Sequence, residues 1–244
     1  MYKNKVFRIV CLMISLILTL FVITLESVDN SAYEADAVAA DAMESTKYVK
    51  VEDKADYIAF EPTGDFYNKG IIFYPGGSVE AQAYAPLMHA VAEEGYLCII
   101  VKMPLKLAVL DMDKADEVRK DYPNIADWYM AGHSLGGAMA ATYAHENASQ
   151  INGVILLAAY STEDLKQDNL EVLSVYGSSD EVLNMENYEE YRSNLPEDAK
   201  EIEITGGNHA GFGNYGEQSG DGAAALSPKE QQEITLEAIC EVLE

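Results

Sequence analysis

Asp127-Trp-Tyr-Met-Ala-Gly-His-Ser-Leu-Gly-Gly-Ala-Met-Ala-Ala-Thr-Tyr-Ala144 is the stretch that decides the fold. Residues 127–131 predict a buried strand, and the alanine-rich residues from Leu135 to about 146 predict a helix. Between them, Gly132-His133-Ser134-Leu135-Gly136 fits the G-x-S-x-G pattern of a nucleophile elbow. A strand-to-helix turn this tight brings the positions two residues either side of the serine into collision, so glycine is required at both. The turn holds the serine oxygen at the carboxyl edge of a sheet. It also aims the Leu135 N–H where negative charge develops on an attacked carbonyl. A plain glycine-bounded turn explains the glycines, but not a serine between a strand and a helix.

The same alternation runs outward on both sides. Residues 48–51 and 57–60 predict an opening pair of strands, and 70–74 a short apolar strand halted by Pro75-Gly76-Gly77. A helix is expected over 80–94, a strand over 96–101 and a helix over 113–122. Strands over 153–158, 171–176 and 201–204 follow, with a closing helix over 228–243. Continuous apolar strands alternating with helices predict an α/β fold with a mostly parallel sheet covered on both faces. Only residues 159–170 separate two of these strands, too few for an inserted cap domain. The glycine-rich residues 210–227 are expected to drape over one side as a flap.

A serine needs a base, and the base needs an orienting group. Of the four histidines, His89 falls on a predicted helix, where packing or surface is the default. His145 lies about 16 Å down the elbow helix by helical rise. His133 sits inside the elbow and is expected to point away from the serine. His209, in Gly206-Gly-Asn-His209 after the last predicted strand, is at the serine's edge of the sheet and is the candidate base. Asp180, in Gly177-Ser-Ser-Asp180, leaves the preceding strand and is the candidate acid, with Glu181 and Asp164 as alternatives. Glycines at 76 and 77 let backbone N–H groups approach a substrate oxygen, so Leu135 with Gly76, Gly77 or Ser78 forms the expected oxyanion hole.

On these residues, Tyr74-Pro-Gly-Gly77, Gly132-His-Ser-Leu-Gly-Gly137, Gly177-Ser-Ser-Asp180 and Gly206-Gly-Asn-His209, the chain resembles the α/β-hydrolase superfamily. It is most similar to the compact esterase and dienelactone-hydrolase-like branch, from about Tyr48 to the C-terminus. The resemblance implies the α/β-hydrolase fold, no cap domain and a Ser–Asp–His triad in that chain order. Dienelactone hydrolases carry cysteine where this chain has Ser134, and the His-Gly-Gly-Gly motif of some lipases is here Pro-Gly-Gly.

Composition bounds the rest. Lysine and arginine number 16 against 41 aspartate and glutamate, a net charge of −25. Such a polyanion repels phosphate backbones, so no nucleic-acid partner is expected. Lys3, Lys5 and Arg8 precede an uncharged apolar run over 9–25, about 25 Å long as a helix. This predicts export, as a cleaved signal peptide or a membrane anchor, and an extracellular or outer-face location. Residues 26–46 read as an acidic linker and 47–244 as the catalytic domain. Cys98 and Cys240 read as free thiols. Gly211-Phe-Gly213-Asn-Tyr-Gly216 matches a dinucleotide string but lies near the chain's end rather than opening a βαβ unit. No cofactor or metal is implied. The expected activity is cleavage of a small-molecule ester or thioester through an acyl-enzyme. An acyltransferase or peptidase using the same triad is the chemical alternative, and a non-catalytic surface-displayed binding domain of hydrolase descent the alternative from another class.

Overall fold

A computed structural model describes residues 32–64 and 66–244. Its eight described strands are β1 (Val49–Asp53), β2 (Tyr57–Pro62), β3 (Lys69–Tyr74), β4 (Leu97–Val101), β5 (Asp127–His133), β6 (Gly153–Leu157), β7 (Glu171–Gly177) and β8 (Lys200–Ile204). They form one sheet in the order β1-β2-β4-β3-β5-β6-β7-β8. The β2 strand pairs antiparallel with both neighbours, and the pairs from β4 through to β8 are parallel. This is the expected α/β-hydrolase architecture.

Strand periodicity divides the apolar residues between two cores. On one face Ile71, Phe73, Cys98 and Ile100 pack with Leu87, Met88 and Val91 of helix α2 (Ala85–Glu93). The same face takes Ala238, Ile239 and Leu243 of α6 (Pro228–Leu243). On the other, Ile72, Tyr74, Ile99 and Val101 meet Ala115 and Val118 of α3 (Ala115–Asp121) and Ala140, Ala141 and Ala144 of α4 (Leu135–Glu146). Cys98 and Cys240 are free thiols.

Helix ends follow local chemistry. The helix expected over 80–94 begins as a tight turn, Ala81–Tyr84, and becomes α-helical at Ala85, with Pro86 in its first turn where a missing N–H costs nothing. The closing helix opens on a reciprocal capping box between Ser227 and Glu230. Helix α5 (Met185–Tyr191), capped by Asn184, escaped the sequence reading because of its residues only Tyr188 is buried. Between β6 and β7 there is only a three-residue turn, Leu165–Gln167, and no cap.

The acidic linker is corrected from Tyr33 onward. Tyr33 N–H donates to the Ser78 carbonyl at 2.7 Å, and Glu80 N–H donates back to the Tyr33 carbonyl at 3.0 Å. Helix α1 (Ala37–Asp41) is capped by the Asp36 carboxylate and buries Ala39 completely. Short side chains let this segment lie flat on the domain, so a composition that suggested a tether is instead packed structure. The apolar run over 9–25 lies outside the described residues. Among the described residues no helix is long and apolar enough to cross a membrane.

Candidate active site

The elbow forms where β5 gives way to α4. Ser134 sits at the junction with φ 53° and ψ −123°, a conformation that side-chain-bearing residues rarely adopt. Its N–H is anchored to the Leu157 carbonyl at 2.9 Å, and its side chain does not cap the helix it starts. Glycine is obligatory on both sides. A Cβ at Gly132 would lie 2.6 Å from Gly136 backbone atoms, and one at Gly136 would lie 2.2 Å from the Tyr74 and Pro75 carbonyl oxygens. Ser134 and Leu135 stay partly exposed while their glycine neighbours are buried.

Asp180 and His209 come from loops after adjacent strands, β7 and β8. His209 Nδ1 and Asp180 Oδ2 are 2.8 Å apart, and each side chain is only 1% exposed. The carboxylate is also held by the Val182 and Leu183 N–H groups at 2.9 and 2.8 Å, which fixes which oxygen faces the imidazole. Glu181 and Asp164 do not take this place; Asp164 caps the Leu165–Gln167 turn. The His209 ring lies 4.5 Å, centroid to centroid, from that of His133, the residue before Ser134. His209 Nε2 is buried and without a hydrogen-bond partner among the described residues, Ser134 included. Base–nucleophile contacts of this kind commonly tighten only when substrate binds.

His133 does turn away from the serine, into a network that the sequence did not disclose. Its Nδ1 lies 2.9 Å from the hydroxyl of the fully buried Tyr84, and that hydroxyl accepts the Gly76 N–H at 3.1 Å. The hydroxyl proton then goes to His133 Nδ1, leaving the imidazole neutral with its proton on Nε2. Burial pushes the proton affinity of His133 well down, the neighbouring His209 adds to this, and the His209 backbone carbonyl works weakly against it. Desolvation likewise pushes the Tyr84 hydroxyl's pKa up, so it stays protonated.

This network corrects the expected oxyanion donors. The Gly76 N–H is committed to Tyr84, and the Ser78 N–H to the Lys106 carbonyl at 2.9 Å. Of the three turn residues, only Gly77 keeps an N–H without a hydrogen bond among the described residues. Gly77 is partly exposed and packs on Leu135, whose side chain would lie 3.2 Å from an added Cβ.

Residues 70–233 match the family model described as the alpha/beta hydrolase family. The chain belongs to the alpha/beta hydrolase family. Among solved structures this hydrolase is similar to a CIB-like hydrolase from Thermoplasma acidophilum, at 18% identity and TM-score 0.59, over 79% of this chain and 99% of that one. It is similar to Est1E from Butyrivibrio proteoclasticus at 16% identity and TM-score 0.57, over 81% and 99%. Dienelactone hydrolase from Anabaena variabilis gives 12% and 0.58, over 80% and 98%. At these identities the likeness is one of fold. No curated protein matches the chain by sequence.

The remaining histidines of the hydrolase have other work. His89 Nδ1–H donates to the Ala42 carbonyl at 2.8 Å and the ring meets that of Phe60 edge-on, a packing role. His145 pairs with Asp168 on the outer surface. In the dinucleotide-like string, Phe212 and Tyr215 are buried packing residues. Sequence reasoning missed Tyr84 because a buried tyrosine in a helical run gives no local sign of a hydroxyl aimed at another loop. It missed Gln231 for the same reason. From α6, Gln231 accepts the Asn208 N–H at 2.9 Å and donates to the Asn208 carbonyl at 2.8 Å, clamping the residue before His209.

Proposed function

We propose that this alpha/beta hydrolase cleaves small, soluble carboxylic esters or thioesters through an acyl-enzyme on Ser134. The observation that carries the reading is the buried Asp180–His209 pair, its imidazole packed on His133, the residue before a serine held at positive φ. In this mechanism Ser134 Oγ attacks the acyl carbon while its proton passes to His209 Nε2. Asp180 accepts from Nδ1–H, holding the tautomer that leaves Nε2 free and stabilising the imidazolium. The Leu135 and Gly77 amides receive the oxyanion. Collapse expels the alcohol or thiol, which takes the proton from His209. Water then attacks the acyl-enzyme with His209 as base, and the acid leaves.

The short connection between β6 and β7 leaves the serine's edge without a cap, so little apolar wall is available to a long chain. At about 0.8 kcal/mol per buried methylene, such a site gains little past the first few carbons. Short acyl groups are therefore the proposed substrates. The test is hydrolysis of p-nitrophenyl acetate by wild type and Ser134→Ala: the variant should lose about 10³-fold or more in kcat with unchanged circular dichroism. Wild-type turnover in the variant removes Ser134 from the mechanism.

The basic head and apolar run before residue 26 also support a place outside the cytoplasm, anchored or released. Fractionation of the native host tests this. Membrane-bound or N-terminally shortened extracellular protein agrees with it, and full-length soluble cytoplasmic protein does not.

A further inference from the structure

The ladder between β7 and β8 ends at the pair Gly177–Ile204. Beyond it Ser178 N–H still donates to the Ile204 carbonyl at 2.9 Å and Ser179 N–H to the Gly207 carbonyl at 2.8 Å, and Asp180 and His209 lie past these bonds on the two loops. A third segment joins them. Asp221 Oδ1 accepts the N–H of His209 at 3.2 Å and that of Glu181 at 3.4 Å, and Oδ2 accepts the N–H of Ala210 at 2.8 Å. The same Oδ1 closes on the Gly222 N–H at 2.8 Å. The next residue completes the tie. The Gly222 carbonyl accepts from Asn208 Nδ2 at 2.9 Å, and a Cβ on Gly222 would lie 2.0 Å from the Ser179 carbonyl oxygen. The glycine-rich segment is thus pressed onto both loops rather than draped beside them.

We infer that Asp221 is a positioning residue that locks the Asp180 loop to the His209 loop and so sets the geometry of the acid–base pair. The inference rests on the proposed role of that pair. Only a carboxylate suits the place: converging backbone N–H groups need acceptors on both oxygens, and charge roughly doubles the strength of each bond. Asparagine keeps one acceptor and turns an NH₂ group against another N–H. Asp221 touches neither Ser134 nor the oxyanion amides among its hydrogen bonds, so its effect passes through His209.

Asp221→Asn and Asp221→Ala in the full chain test this, with kcat and KM for p-nitrophenyl acetate referred to the active fraction titrated by a fluorophosphonate. The low-field proton resonance of His209 Nδ1–H gives a readout that needs no turnover. Misplacing a catalytic group by a fraction of an ångström to 1 Å should lower kcat per active site about tenfold to a hundredfold in the alanine variant, less in the asparagine variant. KM should stay within about twofold, since substrate contacts are untouched. The low-field resonance should broaden or vanish in both. A folded Asp221→Asn variant with unchanged kcat per site and a sharp resonance overturns the inference. If Asp221→Ala does not fold, Asp221→Asn alone decides by these readouts. If the wild type hydrolyses no ester, the esterase reading fails separately, and the resonance in Asp221→Asn still decides the role of Asp221.

Discussion

Two histidine–aspartate pairs stand among the described residues, alike in their hydrogen bond and unlike in everything around it. His209 Nδ1 and Asp180 lie 2.8 Å apart, and His145 Nδ1 and Asp168 lie 2.6 Å apart. The first pair is 1% exposed on both sides, its carboxylate is held by two amides, and its imidazole packs on His133 of the elbow. In the second, the histidine is 37% exposed, on the outer face of α4. A short imidazole–carboxylate bond is therefore no signature of catalysis by itself. Placement at the sheet's carboxyl edge, and a buried ring nitrogen without a partner, set the first pair apart.

The largest contrast is in turnover. Asp180→Asn should lower ester hydrolysis by about 10⁴-fold through loss of the correct tautomer, whereas Asp168→Asn should leave kcat within about twofold. Kinetics of both variants on the same ester check this, and comparable losses would erase the distinction. The next effect concerns the layer beneath the first pair. Tyr84→Phe leaves the buried Gly76 N–H without an acceptor and His133 Nδ1 without a donor. Stability should fall by about 1–3 kcal/mol in urea. The kcat should fall with it as the oxyanion turn loosens, and an unchanged unfolding midpoint would show that the network is idle.

The smallest effects are in the pH dependence of stability, and the two environments give opposite signs. His133 has its proton affinity lowered by burial, below the ordinary 6.5. Its burial carries no penalty above pH 6.5, and stability falls as pH drops below 6.5, because the unfolded chain takes up a proton that the folded one refuses. His145 is raised above 6.5, first by its hydrogen bond to Asp168. It stabilises fully below pH 6.5, and that contribution disappears as pH rises through its folded pKa. Exposure screens the His145 contribution, so it should be slight. Denaturant midpoints from pH 5 to 8 for Asp168→Asn should match wild type at high pH and fall below it at low pH. The reverse pattern would contradict the assignment.

The two pairs also show how far the sequence could be read. His209 was legible because Gly206-Gly-Asn-His209 follows the strand-like alternation Glu201-Ile-Glu-Ile204, and Asp180 because it follows the apolar strand ending at Tyr176; strand order then brings the two loops together. The exclusion of His145 followed from helical rise alone. What could not be read was support arriving from distant positions: Tyr84 on Gly76, Gln231 on Asn208, and Asp221 on the His209 amide. Such contacts join side chains to backbone groups of other loops, and they leave no periodicity or spacing behind. Gly76 was misjudged for this reason, since its N–H gains a partner only once Tyr84 is folded beneath it. The segment from Tyr33 was misjudged because composition registers apolar periodicity, not the hydrogen bonds by which Asp36 and Tyr33 hold it.

The central claim is that the buried pair, and not the exposed one, activates Ser134. The most direct test is intact-protein and peptide mass spectrometry after exposure to a fluorophosphonate. One adduct is expected, on Ser134, formed rapidly in wild type and in His145→Ala, and at least about 10²-fold more slowly in His209→Ala. An adduct on another residue, or a Ser134 adduct whose rate ignores His209, would contradict it.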